Sequence, residues 1–575
     1  MDRIKRLCTS RKNLRVLGKG SLLAAPIGGV MMTRIPGGLA KSVLSFAIVF
    51  CSFGFANAVS GAEKKTCALR PIQANSEAAA YGKLAPDFTL KTVDGSFSMK
   101  DEWNGCDVYV FFKTFTVPAA NPLKGLSDLT NTMWKSKFDY LIQYSPRNTH
   151  YFFLSQNADP AQRLVDQAIV LGHLNEALAT LPVSEQVYWK SRIHIADDDF
   201  SSGSSAWLAN IGIESFVIDR SQKIRALGVG VYSPLLADGD FLKLATEASY
   251  YQFEKDREIS LSAARNVTVV PAFKAEVVQA GWAAFGGKIN EVEFPSANDM
   301  ANFDKMELDL ELSCDRAACV YAEGNYYYDR IIEVYLCRDA EDQDCDIELG
   351  RWITPFGLGG RWVHDVSPLL ALVKNGGKQR LRFHTVDRYN VSLNVRLSQT
   401  SSTAPKPFAY KELFRGGKLN PALNLRDPLT FEIPEGTKKV ELVTTTSGHG
   451  WGRDNENCAE FCVTDHEWKI NDTVSYVNTL ETAGDTFACF LSTGTGVIPN
   501  QPGTWYYGRA GWCPGLEVQP KVWDISANVK AGERNKIRYK ALFKGGDYVP
   551  TVNPEGAATG YEAEINLRSY LVFSK

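Results

Sequence analysis

Residues 381–397, LRFHTVDRYNVSLNVRL, largely alternate apolar and polar side chains, as a β-strand with one buried face does. The same alternation recurs in MELDLELSC (306–314), RIIEVYLC (330–337), KKVELVTTT (438–446) and IRYKALF (537–543). Gly, Pro, Asn and Asp separate these segments and are typical of turns. From about residue 268 onward, so many antiparallel strands predict two β-sandwiches or jelly rolls rather than one.

The chain before residue 268 has a different pattern. VYVFF (108–112) is typical of a buried strand, whereas AQRLVDQAIVLGHLNEALATL (161–181) has the helical spacing of Leu, Val and Ile. The fold class is therefore mixed: an α/β domain followed by two all-β jelly-roll sandwiches. The polar linker STAPKP (402–407) separates the first sandwich from the second. We expect a leader at 1–61, the α/β domain at 62–267, and jelly rolls at 268–403 and 404–575.

The leader contains a candidate secretion signal. SVLSFAIVFCSFGFANA (42–58) is an apolar run with Arg34 and Lys41 ahead of it and a small-x-small ending, the pattern of a cleaved signal peptide. A transmembrane anchor is the alternative, but it needs about 20 apolar residues and this run is shorter. We therefore expect a secreted or periplasmic protein without stable membrane insertion after cleavage.

The cysteines agree with an oxidising compartment. Of 12 cysteines, Cys8 and Cys51 lie in the leader, and an even number behind a signal peptide predicts disulfides. The spacing predicts local pairs 314–319, 337–345 and 458–462, and longer closures 489–513 and 67–106. A metal site at Cys458, Cys462 and His466 is the alternative, but a fourth ligand is missing, so we expect no metal.

The charge balance excludes one class of partner. The chain has 63 Lys and Arg residues and 65 Asp and Glu residues, for a net charge of −2. Nucleic-acid binding needs a basic field that neutralises phosphates, and this balance does not supply it. The charge balance therefore predicts no nucleic-acid partner. Separately, we expect no cofactor and a monomeric protein.

The α/β domain resembles the thioredoxin fold of the peroxiredoxin and thiol-reductase type. The resemblance rests on LAPDFTLKTVDGSFSMKD (84–101), VYVFFKTF (108–115) and ESFVIDRSQKIRALG (214–228). That family carries Trp-Cys-x-x-Cys after the strand that reads VYVFF here, but residues 115–119 contain no cysteine, and its cis-proline is missing near Ile213. Since thiol chemistry needs a thiolate, we expect a redox-inactive scaffold or binding module.

The all-β part resembles another family. The motifs are YYYDRIIEVYL (326–336), GRWITPF (350–356), TTTSGHGWG (444–452), NCAEFC (457–462) and GRAGWCPG (508–515). In their order and spacing, residues 268–575 resemble the peptide-N-glycosidase F family of secreted amidases. The resemblance implies hydrolysis of the amide that joins asparagine to the first N-acetylglucosamine of N-glycosylated proteins or glycopeptides. The glycan would be released and asparagine converted to aspartate, the reaction of a peptide-N4-(N-acetyl-beta-glucosaminyl)asparagine amidase.

Three residues match the family's catalytic positions. Asp329 would orient or deprotonate the attacking water. Glu460, clamped between two cysteines, would bind the sugar or hold the water. Arg509 would stabilise charge on the carbonyl oxygen. For Asp329, the alternative is a structural aspartate at a strand edge that pairs with Arg330. For Glu460, it is a glutamate that caps a turn or forms a salt bridge.

The substrate-binding candidates surround these positions. Trp451, His449 and Trp512 offer faces on which a sugar ring could stack, although single aromatic residues are more often part of a core. The glycines at 448, 450 and 452 would let the backbone approach a bulky glycan. We include Arg330 and Asp387 among the substrate-binding residues.

One position departs from the family. A second family acid lies in a strand that reads LRFHTVDRY here, and the register places Val386 at that position. Asp387 is adjacent, but neighbouring side chains of a strand point to opposite faces unless a bulge redirects one. An inactive or weakly active glycan-binding protein with the same fold is therefore the alternative. We expect residues 268–575 to keep any amidase activity on their own, because both acids and Arg509 lie within them.

Overall fold

The structure is a computed structural model that describes residues 69–575 apart from 76, 115–119, 121–133, 212–214, 227–240, 284, 315–318, 322–323, 340, 342–343 and 554–559. The predicted leader, Cys67, the turn at 115–119 and Ile213 lie outside the described residues, so the expectations for them stay predictions. Within the described part of the chain, no helix is long and apolar enough to cross a membrane.

The N-terminal region is an α/β unit with a five-stranded sheet. In the order β5-β4-β3-β6-β7, the sheet contains β3 (Val108–Lys113), β4 (Thr149–Leu154), β5 (Ile193–Ile195), β6 (Ser215–Ile218) and β7 (Ile224–Ala226). The central strand β3 pairs in parallel with β4 and antiparallel with β6. Its side chains enter two hydrophobic clusters in alternation, and every residue of β3 is buried, as a strand covered on both faces requires.

A hairpin and several helices complete this unit. They are β1 (Thr89–Thr92), β2 (Gly95–Ser98), α1 (Met99–Glu102), α2 (Asp139–Tyr144), α3 (Pro160–Ala179), α4 (Val183–Lys190), α5 (Ala206–Asn210) and α6 (Leu242–Ala263). The predicted helix at 161–181 is α3, which begins where the Asp159 side chain accepts a hydrogen bond from the N–H of Ala161, an ordinary N-cap. The thioredoxin-like identity of the unit stays a prediction.

The next region consists of two antiparallel sheets. One has the order β13-β10-β15-β8 and the other β21-β12-β11-β14-β9. The strands are β8 (Thr268–Val278), β9 (Lys288–Ser296), β10 (Lys305–Ser313), β11 (Ile331–Leu336), β12 (Ile347–Ile353), β13 (Gly360–Asp365), β14 (Gly376–Thr385), β15 (Tyr389–Ser398) and the late strand β21 (Leu516–Glu517). Helix α7 (Ala297–Met300) and a 3-10 helix (Ser367–Val373) connect strands. Side chains from both sheets share one hydrophobic cluster.

The C-terminal region repeats this layering with sheets β16-β24-β18-β22 and β17-β23-β19-β20. The strands are β16 (Pro407–Lys418), β17 (Leu429–Phe431), β18 (Lys439–His449), β19 (Asp465–Ile470), β20 (Val474–Thr479), β22 (Lys521–Asp524), β23 (Asn535–Leu542) and β24 (Glu564–Ser574). Helix α8 (Ala488–Leu491) and 3-10 helices at Pro421–Asn424, Ser492–Thr495 and Ser526–Asn528 lie between strands. The prediction of a mostly β-sheet chain after the α/β unit is confirmed.

The stretch 381–397 forms two strands rather than one. Alternation is regular in β15, where every second side chain from Tyr389 to Leu397 is buried. However, β14 ends at Thr385, and Val386 and Asp387 lie in the bend before β15. The expectation that these two residues occupy successive strand positions is therefore wrong, and the side chain of Asp387 is buried without a bulge.

The predicted disulfides are present wherever both cysteines are described. The pairs are Cys314–Cys319, Cys337–Cys345, Cys458–Cys462 and Cys489–Cys513. Since Cys458 and Cys462 are bonded to each other, they do not form a metal site with His466, whose ring bonds instead to Thr464 and Tyr539. The pair 67–106 stays a prediction.

Candidate active site

Asp329 lies on the loop that enters β11. The hydroxyl of Thr354 fixes this loop on both sides of the aspartate. It accepts a hydrogen bond from the backbone N–H of Arg330 and donates one to the carbonyl of Tyr328, each at 2.8 Å. Thr354 is fully buried and directly follows β12, the partner strand of β11. This support leaves the Asp329 side chain 17% exposed.

Glu460 lies in the loop that the Cys458–Cys462 disulfide closes. The backbone N–H of Gly450 donates to Oε2 of Glu460 at 3.3 Å. The N–H of Ala510 donates to the Glu460 carbonyl at 2.9 Å. The glutamate is therefore held from both sides, by the end of β18 and by the segment that carries Arg509.

Two of the glycines in TTTSGHGWG permit this approach. A Cβ at Gly448 would lie 2.5 Å from the carbonyl oxygen of Ala459, and Gly450 has a φ of +130°. Glycine alone fits the close backbone approach at Gly448 and the positive φ at Gly450 without strain. The sequence predicts that these glycines admit a glycan, but in the structure Gly448 admits the loop of Glu460.

Arg509 lies between the two acids. Its Nη2 is 3.3 Å from Oδ2 of Asp329, and its Nε is 3.5 Å from Oε1 of Glu460. The arginine side chain is 2% exposed, and it bridges two carboxylates that are 131 residues apart in the sequence, from 329 to 460. The structure thus brings together the three residues that the sequence analysis assigns to catalysis.

The other donors of Arg509 are occupied. Nη1 donates to the carbonyls of Thr504 at 2.9 Å and Tyr507 at 2.7 Å, and Nη2 also reaches Oγ1 of Thr504 at 3.4 Å. Nη1 and Nη2 therefore point to these carbonyls and to Asp329, whereas Nε faces Glu460 as an ion pair without a hydrogen bond. This geometry supports a role of Arg509 in positioning Asp329 and Glu460, and the contact with a carbonyl oxygen of the substrate stays a prediction.

The two acids have perturbed protonation. Burial raises the pKa of Glu460 to about 8, against the opposing charge of Arg509, and the charge of Asp329 adds to the rise. Burial also raises the pKa of Asp329, while the charges of Arg509 and Arg330 oppose the shift. At neutral pH Glu460 is therefore protonated, while the charges of Arg509 and Arg330 act against the rise at Asp329. Two neighbouring carboxyl groups whose pKa values are shifted in this way are candidates for acid–base hydrolysis.

Trp512 and His449 lie behind Arg509. The Trp512 ring is 6% exposed, lies 5.2 Å from Cζ of Arg509 and stacks on His449 at 5.1 Å. His449 bonds to the hydroxyl of Ser447, and burial lowers its pKa to about 3, so the ring is neutral. The two rings support the guanidinium and present little surface to a ligand, so this geometry does not favour their predicted stacking on a sugar.

Trp451 lies at the outer side of the site. It is half-buried, and its ring meets that of Tyr561 edge to face at 6.2 Å. Tyr561 is exposed, and its hydroxyl accepts a hydrogen bond from Nη1 of Arg330 at 3.5 Å. Trp451 and Arg330 are thus joined through one exposed tyrosine.

Asp387 forms a second acidic position, which lies beside Tyr321 and senses the charge of Arg330. Its Oδ1 accepts a hydrogen bond from the Tyr321 hydroxyl at 2.6 Å. Burial raises the pKa of Asp387, whereas the bond from Tyr321 and the charge of Arg330 oppose the rise. Its Oδ2 is buried and has no hydrogen-bond partner among the described residues. Asp387 is therefore coupled to the neighbour of Asp329 rather than to Arg509.

Trp282 is a residue that the sequence analysis misses. Its ring is 71% exposed and lies 4.6 Å from Cζ of Arg330. The N–H groups of Ala280 and Gly281 donate to the carbonyls of Thr385 and Val386, so the Trp282 loop is fixed to the bend that carries Asp387. The only sequence signal is an aromatic residue in the Gly-rich stretch AGWAAFGG (280–287).

Sequence comparison relates part of this chain to known proteins. Residues 421–572 match the family model "Peptide-N-glycosidase F, C terminal". The chain is also 25% identical over 280 residues to peptide-N(4)-(N-acetyl-beta-D-glucosaminyl)asparagine amidase F of Elizabethkingia miricola, covering 45% of this chain and 74% of the relative. The chain is therefore related, at low identity, to peptide-N-glycosidase F.

Two kinds of solved structure are similar. One is PNGase F, a glycosylasparaginase from Flavobacterium meningosepticum, with 20% identity and a TM-score of 0.43 over 54% of this chain and 96% of that chain. The other is PNGF-II, with 14% identity and a TM-score of 0.40 over 63% of this chain and 73% of that chain.

Proposed function

We propose that this chain is a peptide-N4-(N-acetyl-beta-glucosaminyl)asparagine amidase, which releases glycans from N-glycosylated proteins or glycopeptides and converts asparagine to aspartate. The observation that carries the proposal is the contact of Arg509 with both Asp329 and Glu460, at 3.3 and 3.5 Å. The relationship to peptide-N-glycosidase F supports the same reaction.

The two acids divide the proton transfers. Asp329 accepts a proton from water as the water oxygen bonds to the amide carbon. Glu460, protonated at neutral pH because burial raises its pKa to about 8, supplies a proton to the leaving nitrogen as the carbon–nitrogen bond breaks. The products are aspartate and a glycosylamine, which decays to free sugar and ammonia. Arg509 holds both carboxyl groups in place and favours the ionised form of Asp329.

The glycan binds over the exposed side of this pair. Trp282, with its ring on Arg330, offers an open apolar face, and Trp451 lies beyond Tyr561. Aromatic faces beside polar groups suit a sugar ring, which is apolar on its faces and rich in hydroxyls at its edge. Asp387 acts on this surface through Arg330.

A glycan-binding protein without catalysis is the second candidate. One observation favours it: Asp387, the acid nearest to the position where the family carries a second one, is only 4% exposed. A surface that keeps Trp282 and Arg330 but has no accessible second acid would bind a glycan more readily than it would cleave one.

Further parts of the chain carry related proposals. We propose a redox-inactive thioredoxin-like domain at 62–267, jelly rolls at 268–403 and 404–575, and secretion directed by the leader at 1–61. The parallel strands β3, β4 and β5, followed by the antiparallel pair β6 and β7, support the first. The disulfides, which persist in oxidising compartments, support secretion. We expect the secreted chain to act as a monomer.

Glycan release from a denatured high-mannose glycoprotein tests the proposal. In water enriched in heavy oxygen, an active enzyme leaves one labelled oxygen in each new aspartate, which mass spectrometry of the peptides detects. The Asp329→Asn variant is the matched control, since it keeps the shape of the site. Glycan binding without any labelled aspartate would leave the binding protein as the function.

A further inference from the structure

The loop that carries Arg509 has little regular structure of its own. The Cys489–Cys513 disulfide closes it, and we call residues 489–513 the arginine loop. After the short helix and 3-10 turn at its start, residues 496–513 contain no strand. The carbonyls of Thr504 and Tyr507, both in this loop, accept hydrogen bonds from Arg509. The position of the guanidinium therefore depends on how firmly the arginine loop is held.

A residue from the N-terminal unit lies in the core of this loop. Leu242, the first residue of α6, is 1% exposed. It belongs to one hydrophobic cluster with Phe356 and with loop side chains that include Phe490, Trp505 and Tyr507. Leu242 is thus buried against the loop whose backbone binds Arg509.

Helix α6 continues along the loop beyond Leu242. Gly496, with a φ of +117°, leaves room for the ring of Phe253, because a Cβ at this glycine would lie 2.9 Å from the Phe253 ring. A Cβ at Gly494 would likewise lie in contact with Ser249. Near the end of the helix, Arg257 donates a hydrogen bond to the carbonyl of Arg361 in β13. Several turns of α6 therefore cover the arginine loop and the sheet beside it.

We infer that α6 of the N-terminal unit braces the arginine loop and so positions Arg509 between Asp329 and Glu460. This inference rests on the proposed function. Leu242 and Phe253 are positioning residues: they contact neither acid in the site and act through the loop. The sequence-based expectation that residues 268–575 suffice for activity is replaced by a requirement for the N-terminal unit.

A pair of leucines in the same helix tests the inference in the full chain. Leu242 and Leu244 are both 1% exposed, but Leu244 shares a cluster with Val110 and Phe153 of the N-terminal sheet. Leu242→Ala and Leu244→Ala remove the same atoms and should lower the melting temperature to a similar extent. Only Leu242→Ala should lower kcat, by roughly 10- to 100-fold, with KM nearly unchanged. Leu242→Met, which conserves volume, should restore kcat.

The pH profile adds a readout that general destabilisation does not move. Arg509 opposes the rise in the pKa of both Asp329 and Glu460. If Leu242→Ala loosens the loop, both limbs of the kcat profile should move to higher pH, while Leu244→Ala should leave them in place. Equal kcat and equal profiles in the two variants would overturn the inference.

Hydrogen exchange separates this inference from the proposed function. Residues 489–513 should exchange faster in Leu242→Ala than in Leu244→Ala, whether or not the wild-type chain releases glycans. If Leu242→Ala does not fold, Phe253→Leu makes a smaller change on the same face and should give the same local effect. Unchanged exchange of the loop in a folded variant would show that α6 does not brace it.

Discussion

Nη2 of Arg509 lies 3.3 Å from Oδ2 of Asp329, although 180 residues separate them along the chain. The arginine belongs to a loop of the C-terminal region, whereas the aspartate precedes β11. The same guanidinium faces Glu460 at 3.5 Å, so one buried cation contacts both acids and opposes the rise in their pKa values. Substitutions that keep shape but change charge therefore separate these two contributions.

Asp329→Asn keeps the shape and hydrogen bonding of the side chain but removes its basicity. Turnover should fall by roughly 10²–10⁴, the usual contribution of general acid–base catalysis, while glycan affinity changes little because the loss falls on the transition state. Asp309→Asn is the matched control, since Asp309 is also buried and paired with an arginine, Arg361, but lies in β10. Unimpaired glycan release by Asp329→Asn would remove the aspartate from the mechanism.

The pH dependence of turnover should report the protonation of Glu460. Activity that needs its proton should decline as pH rises through about 8, the pKa that burial gives this carboxyl. Glu460→Gln cannot donate that proton to a leaving nitrogen, so its turnover should be lower by roughly 10²-fold or more and should lose the alkaline decline. Steady-state rates from acid to alkaline pH measure both effects. A wild-type profile that stays flat through this range would contradict the acid role.

Glu460 should also make the free energy of unfolding depend on pH. Its folded pKa, about 8, lies above the ordinary value of 4.5, so the folded state binds a proton more tightly than the unfolded chain. This contribution is complete below the ordinary value and is lost as pH rises towards about 8. Glu460→Gln removes this dependence and should gain stability relative to the wild type as pH rises. Denaturant unfolding of both proteins at acid and alkaline pH gives the comparison, and a constant difference would refute the shift.

Period-two alternation explains why much of the β-sheet architecture follows from the sequence. In β15 the buried side chains are apolar and the residues between them are polar. The strand can therefore be assigned without knowledge of the neighbouring strands. The bend at Val386 and Asp387 is missed because apolar residues occupy odd-numbered positions on both sides of it and no Gly or Pro marks the interruption. The side chain of Asp387 is then placed by Tyr321, a contact across the fold.

Part of the candidate site can likewise be predicted from the sequence, and part cannot. Asp329, Glu460 and Arg509 lie in recognisable motifs, and the structure brings them together. The hydrogen-bond partners of Arg509 are not predictable from those motifs, because they are main-chain carbonyls whose direction the loop fold sets. Trp282 is missed for a related reason: its loop has no periodic pattern, and tertiary contact alone places it on Arg330.

Trp282→Ala should weaken glycan binding. Its exposed ring lies on Arg330, and an aromatic contact of this kind contributes about 0.5–1.5 kcal/mol, which corresponds to roughly a two- to tenfold change in affinity. Phe285→Ala is the matched control, since Phe285 is exposed on the same loop but lies 5.9 Å from Arg382 instead. Calorimetric titration with a free high-mannose glycan compares the two, and equal losses would argue against a Trp282 contact.

Asp387→Asn tests whether the acid in the bend serves the site through Arg330. The substitution keeps the acceptor for the Tyr321 hydroxyl but removes the negative charge that acts on Arg330. KM should rise while kcat changes little, because Asp329 keeps its contact with Arg509. Tyr321→Phe removes the hydrogen bond and keeps the charge, so its effect should be smaller.

Val386→Glu adds an acid at the neighbouring position of the same bend and should not replace Asp387, since the backbone there is fixed by the N–H of Gly281. A silent Asp387→Asn together with a more active Val386→Glu would mean that the glycan approaches Val386 instead, and that the second acid of the family is missing from this site.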